Sequence, residues 1–212
     1  MERISLPTPD MMSEAQRAVF NDIISGPRGT LVGPLRAALH NPVLADRWQK
    51  LGQVLRFETS IPFALNEVAI LVTARHWSSL LEFGIHAREA RRAGVSEATI
   101  EALRCGRRPD FSDDGAAAEV YEYVRQLLST GNVSDKTYAA VLDRWGEVGI
   151  VELTAVAGYY SMVAMTLNAH RIPMPEGVEC QLPEVENGVL NLPSLTGENP
   201  RERENAATHG KR

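Results

Sequence analysis

Cysteine is scarce in this sequence: Cys105 and Cys180 are the only two in 212 residues. They fit neither a Cys-x-x-Cys redox pair nor the spacing of a zinc site. Two free thiols in a reducing compartment is the expectation, with one disulfide between them as the alternative. A basic excess is lacking as well, since 22 Lys and Arg face 27 Asp and Glu and the formal net charge is −5. A surface that neutralises phosphates needs the opposite balance, so no nucleic-acid partner is expected. Arg88, Arg91 and Arg92, interleaved with Glu89, read as a solvated helix face. No apolar run reaches membrane-spanning length, because the longest, from about Val148 to Leu167, is interrupted by Glu152 and Gly158. The first residues, from Met1 to Pro7, lack the apolar centre of a signal peptide. No membrane partner and a cytoplasmic location follow as expectations. Repeats of solenoid period are missing too, and strand signals are few.

What the sequence has is helix punctuation. Apolar residues Ala15, Val19, Phe20 and Ile23 recur at helical spacing behind a candidate cap, Ser13. Gly26-Pro27-Arg28-Gly29 breaks the chain and Gly33-Pro34 restarts it. Asn41-Pro42 marks a helix start, with Asn41 as cap and Pro42 in the first turn, and predicts a helix to about Leu55. Pro62 opens a mostly buried helix to about Trp77. The next, capped by Ser78 or Ser79, stops at Gly94, and Ser96 caps a short one holding Ile100 and Leu103. Further helices are predicted over 116–128, 134–145 and 148–169, the last apolar and rich in small residues. The fold class is therefore all-α. Beyond Pro173 the helical period ends and prolines accumulate. A helical domain over 1–175 and an extended tail over 176–212 are expected, with 178–195 lying along a surface, its own or a neighbouring subunit's. Residues 199–212 are expected to be disordered.

The chemistry-bearing stretch runs from Asn66 to Gly94. Glu67 interrupts an otherwise apolar helix. Ser79, Glu82 and His86 follow on the next helix at spacings of three and four, which place them on one face. A carboxylate and an imidazole at i, i+4 can share a proton or flank one substrate, and histidine suits acid–base work near neutral pH. Each residue also has a structural reading: Ser79 and Glu82 fit a capping box, His86 a hydrogen-bonded core histidine, Glu67 an ion pair with an arginine.

The pattern Glu67-x11-Ser79-x-x-Glu82-x-x-x-His86, followed by Ala90-Arg91-Arg92-Ala93-Gly94-Val95-Ser96, resembles the carboxymuconolactone decarboxylase-like family of the alkylhydroperoxidase D-like superfamily. Serine and glutamate stand where the peroxidase members carry two cysteines. The segments Arg56 to Pro62, Ala74 to Trp77, Gly158-Tyr159-Tyr160 and Thr166 to Ala169 extend the resemblance to about residues 10–178. It implies an alkylhydroperoxidase D-like helical bundle that assembles as a homo-oligomer, a trimer or hexamer with a dimer as the alternative. Without the thiols, peroxide reduction through a disulfide is not expected.

The resemblance implies instead a lyase that decarboxylates a small unsaturated lactone, a small-molecule substrate that is its own electron sink, so that neither metal nor organic cofactor is needed. His86 is then the proton donor and Glu82 its acid–base partner, Glu67 orients or relays, and Ser79 hydrogen-bonds the lactone oxygen. Substrate contacts are expected from His76, Trp77, Arg56, Tyr159, Asn168 and His170. An isomerase, hydratase or dehydratase using the same pair, and a non-catalytic oligomeric binding protein, are the alternatives.

Overall fold

The helix that organises the molecule is α4 (Phe63–His76), whose sequence is apolar on nearly every side and whose residues from Asn66 to His76 are all buried. A helix without a polar face belongs at the centre of a bundle. Around it pack α5 (Leu80–Arg92), α7 (Gly115–Thr130) and α8 (Asp135–His170). The computed structural model describes residues 2–31 and 33–195, and among the described residues there is no strand. α1 (Glu14–Ser25) and α2 (Pro34–Ala38) pack on α3 (Pro42–Phe57), and α2 and α3 reach α8, while α6 (Glu97–Arg104) rests on α4 and α5. The fold is all-helical, as the sequence predicts.

The caps explain the boundaries. The Ser13 side chain and that of Gln16 exchange hydrogen bonds with each other's backbone as a capping box. Asn41 Oδ1 accepts from the Leu44 amide at 3.1 Å, and Ser96 Oγ accepts from Thr99 N at 3.1 Å. The two helices expected over 134–145 and 148–169 run as one element, α8, interrupted at Gly146 with φ 65° and ψ −171°. That conformation is open essentially to glycine alone. Nothing lies within 4 Å of a Cβ built there, so the cost of a side chain is conformational rather than steric. Gly146→Ala should lower stability by about 1–3 kcal/mol, seen as a drop of several degrees in a thermal melt. Contrary to the sequence reading that no apolar run reaches spanning length, α8 is long and apolar enough to cross a membrane by length and composition alone, because Glu152 and Gly158 do not interrupt the helix; its best window has a mean hydropathy of 1.4, and half of that window is buried inside the protein.

After Arg171 the chain carries no further helix among the described residues and runs back over its own helices. Arg104 Nη1 donates to Gln181 O at 2.7 Å and Arg75 Nη2 to Pro183 O at 3.1 Å. The Leu190 amide donates to His76 O at 2.8 Å, and Tyr121 Oη to Pro193 O at 2.6 Å. Met174, Val178 and Cys180 lie against Gly84, where a Cβ would meet Cys180 Cβ at 2.9 Å. Within 178–195 the surface being followed is therefore the protein's own. The expected disorder over 199–212 falls outside the described residues. Both cysteines are free thiols.

Candidate active site

Most polar side chains in the α4 core are spent on structure. Asn66 Nδ2 donates to Leu55 O at 2.9 Å, and Thr73 Oγ1 to Ala69 O at 2.9 Å. Arg75 donates to Arg104 O, Ser78 Oγ and Pro183 O. Glu67 is different. It is fully buried, and its Oε2 meets His86 Nδ1 of α5 at 2.8 Å, while Oε1 has no partner. No arginine approaches it among the ion pairs of the described residues. A carboxylate on one ring nitrogen fixes the tautomer and orientation of an imidazole. Nε2 makes no hydrogen bond among the described residues and is left for a ligand. The Tyr160 ring meets His86 edge-on, centroids 5.0 Å apart.

Glu82 lies on the same face of α5 and is 2% exposed, yet neither carboxyl oxygen has a hydrogen-bond partner. Burial pushes this carboxyl well above the ordinary 4.5, and the nearby Ser79 hydroxyl opposes the shift in lesser measure without reaching hydrogen-bond geometry. A carboxylic acid that keeps its proton is a proton source in a dry site. The capping-box reading of Ser79 and Glu82 is not realised. Ser79 stands at the N-cap of α5, but its hydroxyl caps nothing and is itself buried without a partner.

Glu82 and His86 border a hollow of about 50 Å³. Its other walls come from the α1–α2 loop (Arg28), from α3 (Arg56) and from α8 (Tyr159, Tyr160, Val163, Leu167). The α8 residues Tyr159, Val163 and Leu167 recur every four positions and so share one face. Burial pushes the Tyr159 and Tyr160 phenols up, so both stay protonated at neutral pH. One wall is thus carboxylic and the other carries two guanidinium groups, neither of which pairs with a carboxylate among the described residues. A wider groove of about 400 Å³, near Pro7, Phe20 and Leu31, has Arg36 as its one charged lining residue and no acid or histidine. Nor do three His, Cys, Asp or Glu side chains converge as a metal ligand set among the described residues.

Of the residues expected to contact substrate, Arg56 and Tyr159 line the hollow and four do not. His76 sits nine positions beyond Glu67, about half a turn round the helix. Its Nδ1 meets Leu190 O at 3.0 Å on the far side of α4, and burial lowers its pKa. Trp77 Nε1 donates to Ser161 Oγ at 2.9 Å, which makes it a structural contact between α4 and α8. Asn168 follows Leu167 and so turns about 100° away from the hollow; its amide holds Trp77 O at 2.8 Å. His170 ends α8, where its carbonyl accepts from Arg3 N at 3.0 Å.

Arg28 and Tyr160 were not anticipated. Arg28 sits in the Gly26–Gly29 break, which the sequence marks only as a loop. Gly52 was missed as well. A Cβ there would collide with the Tyr159 hydroxyl and the Arg28 guanidinium and stand 2.6 Å from Tyr159 Cζ. Alanine gains about 0.5–1 kcal/mol over glycine inside a helix, but the Tyr159 ring is rigid, buried and packed edge-on against Tyr160, so it cannot swing aside as the arginine end can. Gly52→Ala should therefore lower stability by about 1–3 kcal/mol while displacing Tyr159 and Arg28, which a crystal structure of the variant would reveal.

No protein-family model matches the chain, and no curated protein matches it. Solved structures do. An uncharacterized peroxidase-related protein from Silicibacter sp. TM1040 superposes with a TM-score of 0.67 at 13% identity, over 84% of this chain and 93% of that one. A second, from Ralstonia eutropha JMP134, described as an alkylhydroperoxidase AhpD core, gives 0.65 at 9% identity over 82% and 93%. The chain shares their fold.

Proposed function

We propose that the hollow between α3, α5 and α8, in a bundle of the alkylhydroperoxidase AhpD type, is the active site of a carboxy-lyase. It would act on a small carboxylated unsaturated lactone and move protons rather than electrons. The observation that carries this is Glu82, a buried acid with no protein partner, bordering the same hollow as the free nitrogen of a histidine that Glu67 holds in place. A purely structural pair would leave neither group waiting for a ligand.

In the reaction the bond to the departing carboxylate carbon breaks, CO2 leaves, and the electron pair passes into the conjugated lactone carbonyl. The dienolate is then protonated on carbon. His86 delivers that proton from Nε2, which must first take it up from the Glu82 carboxyl bordering the same hollow, because Nδ1–H is engaged by Glu67. Glu82, kept protonated by burial, donates a hydrogen bond to enolate oxygen or replaces the proton on His86. Glu67 positions the ring, and the Ser79 hydroxyl is a further donor at the start of the helix. Tyr160, Val163 and Leu167 keep the site poor in water, which strengthens each of these interactions.

Thiol-based peroxide reduction is not supported. Ser79 and Glu82 hold the positions where paired thiols would be required, and Cys105 and Cys180 do not line the hollow. The test is to incubate carboxylated unsaturated lactones with the protein in deuterated water. Release of CO2 with one deuterium fixed on product carbon is expected. Recovery of a mass-neutral isomer or a hydrated product, with no CO2, would overturn decarboxylation in favour of isomerase or hydratase chemistry.

A further inference from the structure

Among the described residues, the buried Nε donors of Arg28 and Arg56 have no acceptor. They come from separate places in the sequence, yet both border the hollow beside the Tyr159 phenol, toward which Trp48 Nε1 also turns without reaching hydrogen-bond geometry. Arg28 Nη2 reaches the Tyr159 hydroxyl at 3.5 Å. Trp48, Gly52 and Arg56 stand four apart, so they form one stripe along α3, and the missing side chain of Gly52 leaves room for Tyr159 and Arg28 to close on it. Trp48 is itself 6% exposed. Buried donors are ordinarily satisfied; two guanidinium groups with unmet donors on the wall of one hollow are short of an anion.

We infer that Arg28 and Arg56 form a carboxylate subsite, facing Glu82 and His86 across the hollow, and that it sets substrate specificity. The guanidinium fork matches the two oxygens of a carboxylate. The group bound there is one that stays on the molecule. A guanidinium held on the departing carboxylate would stabilise its charge and oppose loss of CO2, so the reacting end belongs against Glu82 and His86. The inference rests on the reading of the hollow as a substrate site, but not on which reaction takes place in it.

The test uses binding without turnover. Succinate, its neutral diamide and inorganic phosphate are titrated calorimetrically into the whole protein at constant ionic strength. Succinate should bind and the diamide should not. Arg28→Gln and Arg56→Gln should each weaken succinate about tenfold or more, the loss of one charge-assisted contact. Arg28→Lys should fall between Arg28→Gln and wild type. Arg36→Gln, which removes a charge from the separate groove near Phe20, should stay within about twofold of wild type. Failure of succinate to bind, preference for phosphate, or equal affinity in the Arg28 and Arg56 variants with an intact thermal transition would overturn the subsite. Unchanged succinate binding in Arg28→Gln, alongside CO2 release from a lactone, would sink the subsite and leave the lyase reading. Loss of succinate binding without CO2 release would do the reverse.

Discussion

His86→Ala is expected to lower turnover about 10²-fold or more, the usual worth of a positioned acid–base group. The same change strips Glu67 of its one partner. Glu67 has no solvent contact, so an uncompensated carboxylate is left inside α4 at a cost of about 3–5 kcal/mol. Rate and stability must therefore be read apart. His86→Gln places an amide within reach of Glu67; it should recover most of the melting temperature and none of the turnover. Glu67→Gln keeps a hydrogen-bonding group but removes the charge that orients the ring, and should fall between wild type and His86→Ala in turnover. A loss of less than about threefold in His86→Ala, measured on folded protein, would take the imidazole out of the mechanism.

Glu82→Gln should stabilise the protein, and increasingly so as pH rises. The folded state holds the Glu82 proton to a higher pH than the unfolded chain does. Above the ordinary carboxyl value of 4.5 the unfolded state releases that proton first, so it binds fewer protons than the native state and wild-type stability falls with rising pH. The slope approaches about 1.4 kcal/mol per pH unit, and it levels off above the raised native value. The amide does not titrate. Denaturant melts of the two proteins should therefore nearly coincide at pH 4 and diverge by pH 8, with the variant the more stable. Parallel curves across that range would show that Glu82 ionises freely in the native state, and its role as a stored proton would fail. In turnover the variant should be impaired, because an amide can donate a hydrogen bond but cannot give up a proton.

Much of the fold was legible because helix boundaries are written locally. Asn41-Pro42, Ser13 with Gln16, and Ser96 each satisfy an amide a few residues away, and such contacts need no knowledge of the rest of the chain. The union of Glu67 with His86 was legible only in part: the sequence assigns Glu67 an orienting role but points to Glu82, four positions away on the same helix, as the partner of the histidine, whereas the hydrogen bond that forms crosses from α4 to α5. The guanidinium wall was harder to see. Arg28 reaches the hollow only because α2, which follows its loop, packs on α8, and loop residues carry no period from which a direction can be read. His76 and Trp77 were misplaced for the opposite reason. Sequence proximity to Glu67 suggested a shared site, whereas the helical turn sends His76 to the far side of α4, where the returning chain supplies Leu190. Asn168 could have been set aside from sequence alone, since the stripe of Tyr159, Val163 and Leu167 leaves it off the face. Gly52 was invisible because its contribution is an absence of atoms.

The returning chain beyond Arg171 lies against Gly84, midway between Glu82 and His86 on α5. The acid and the imidazole look inward, while Met174, Val178 and Cys180 press on the helix from behind. Trimming that run, or bulking up the glycine it leans on, would loosen the very turn on which both reactive groups are mounted. A stretch without a helix or strand of its own thus serves as backing for the most demanding geometry in the molecule.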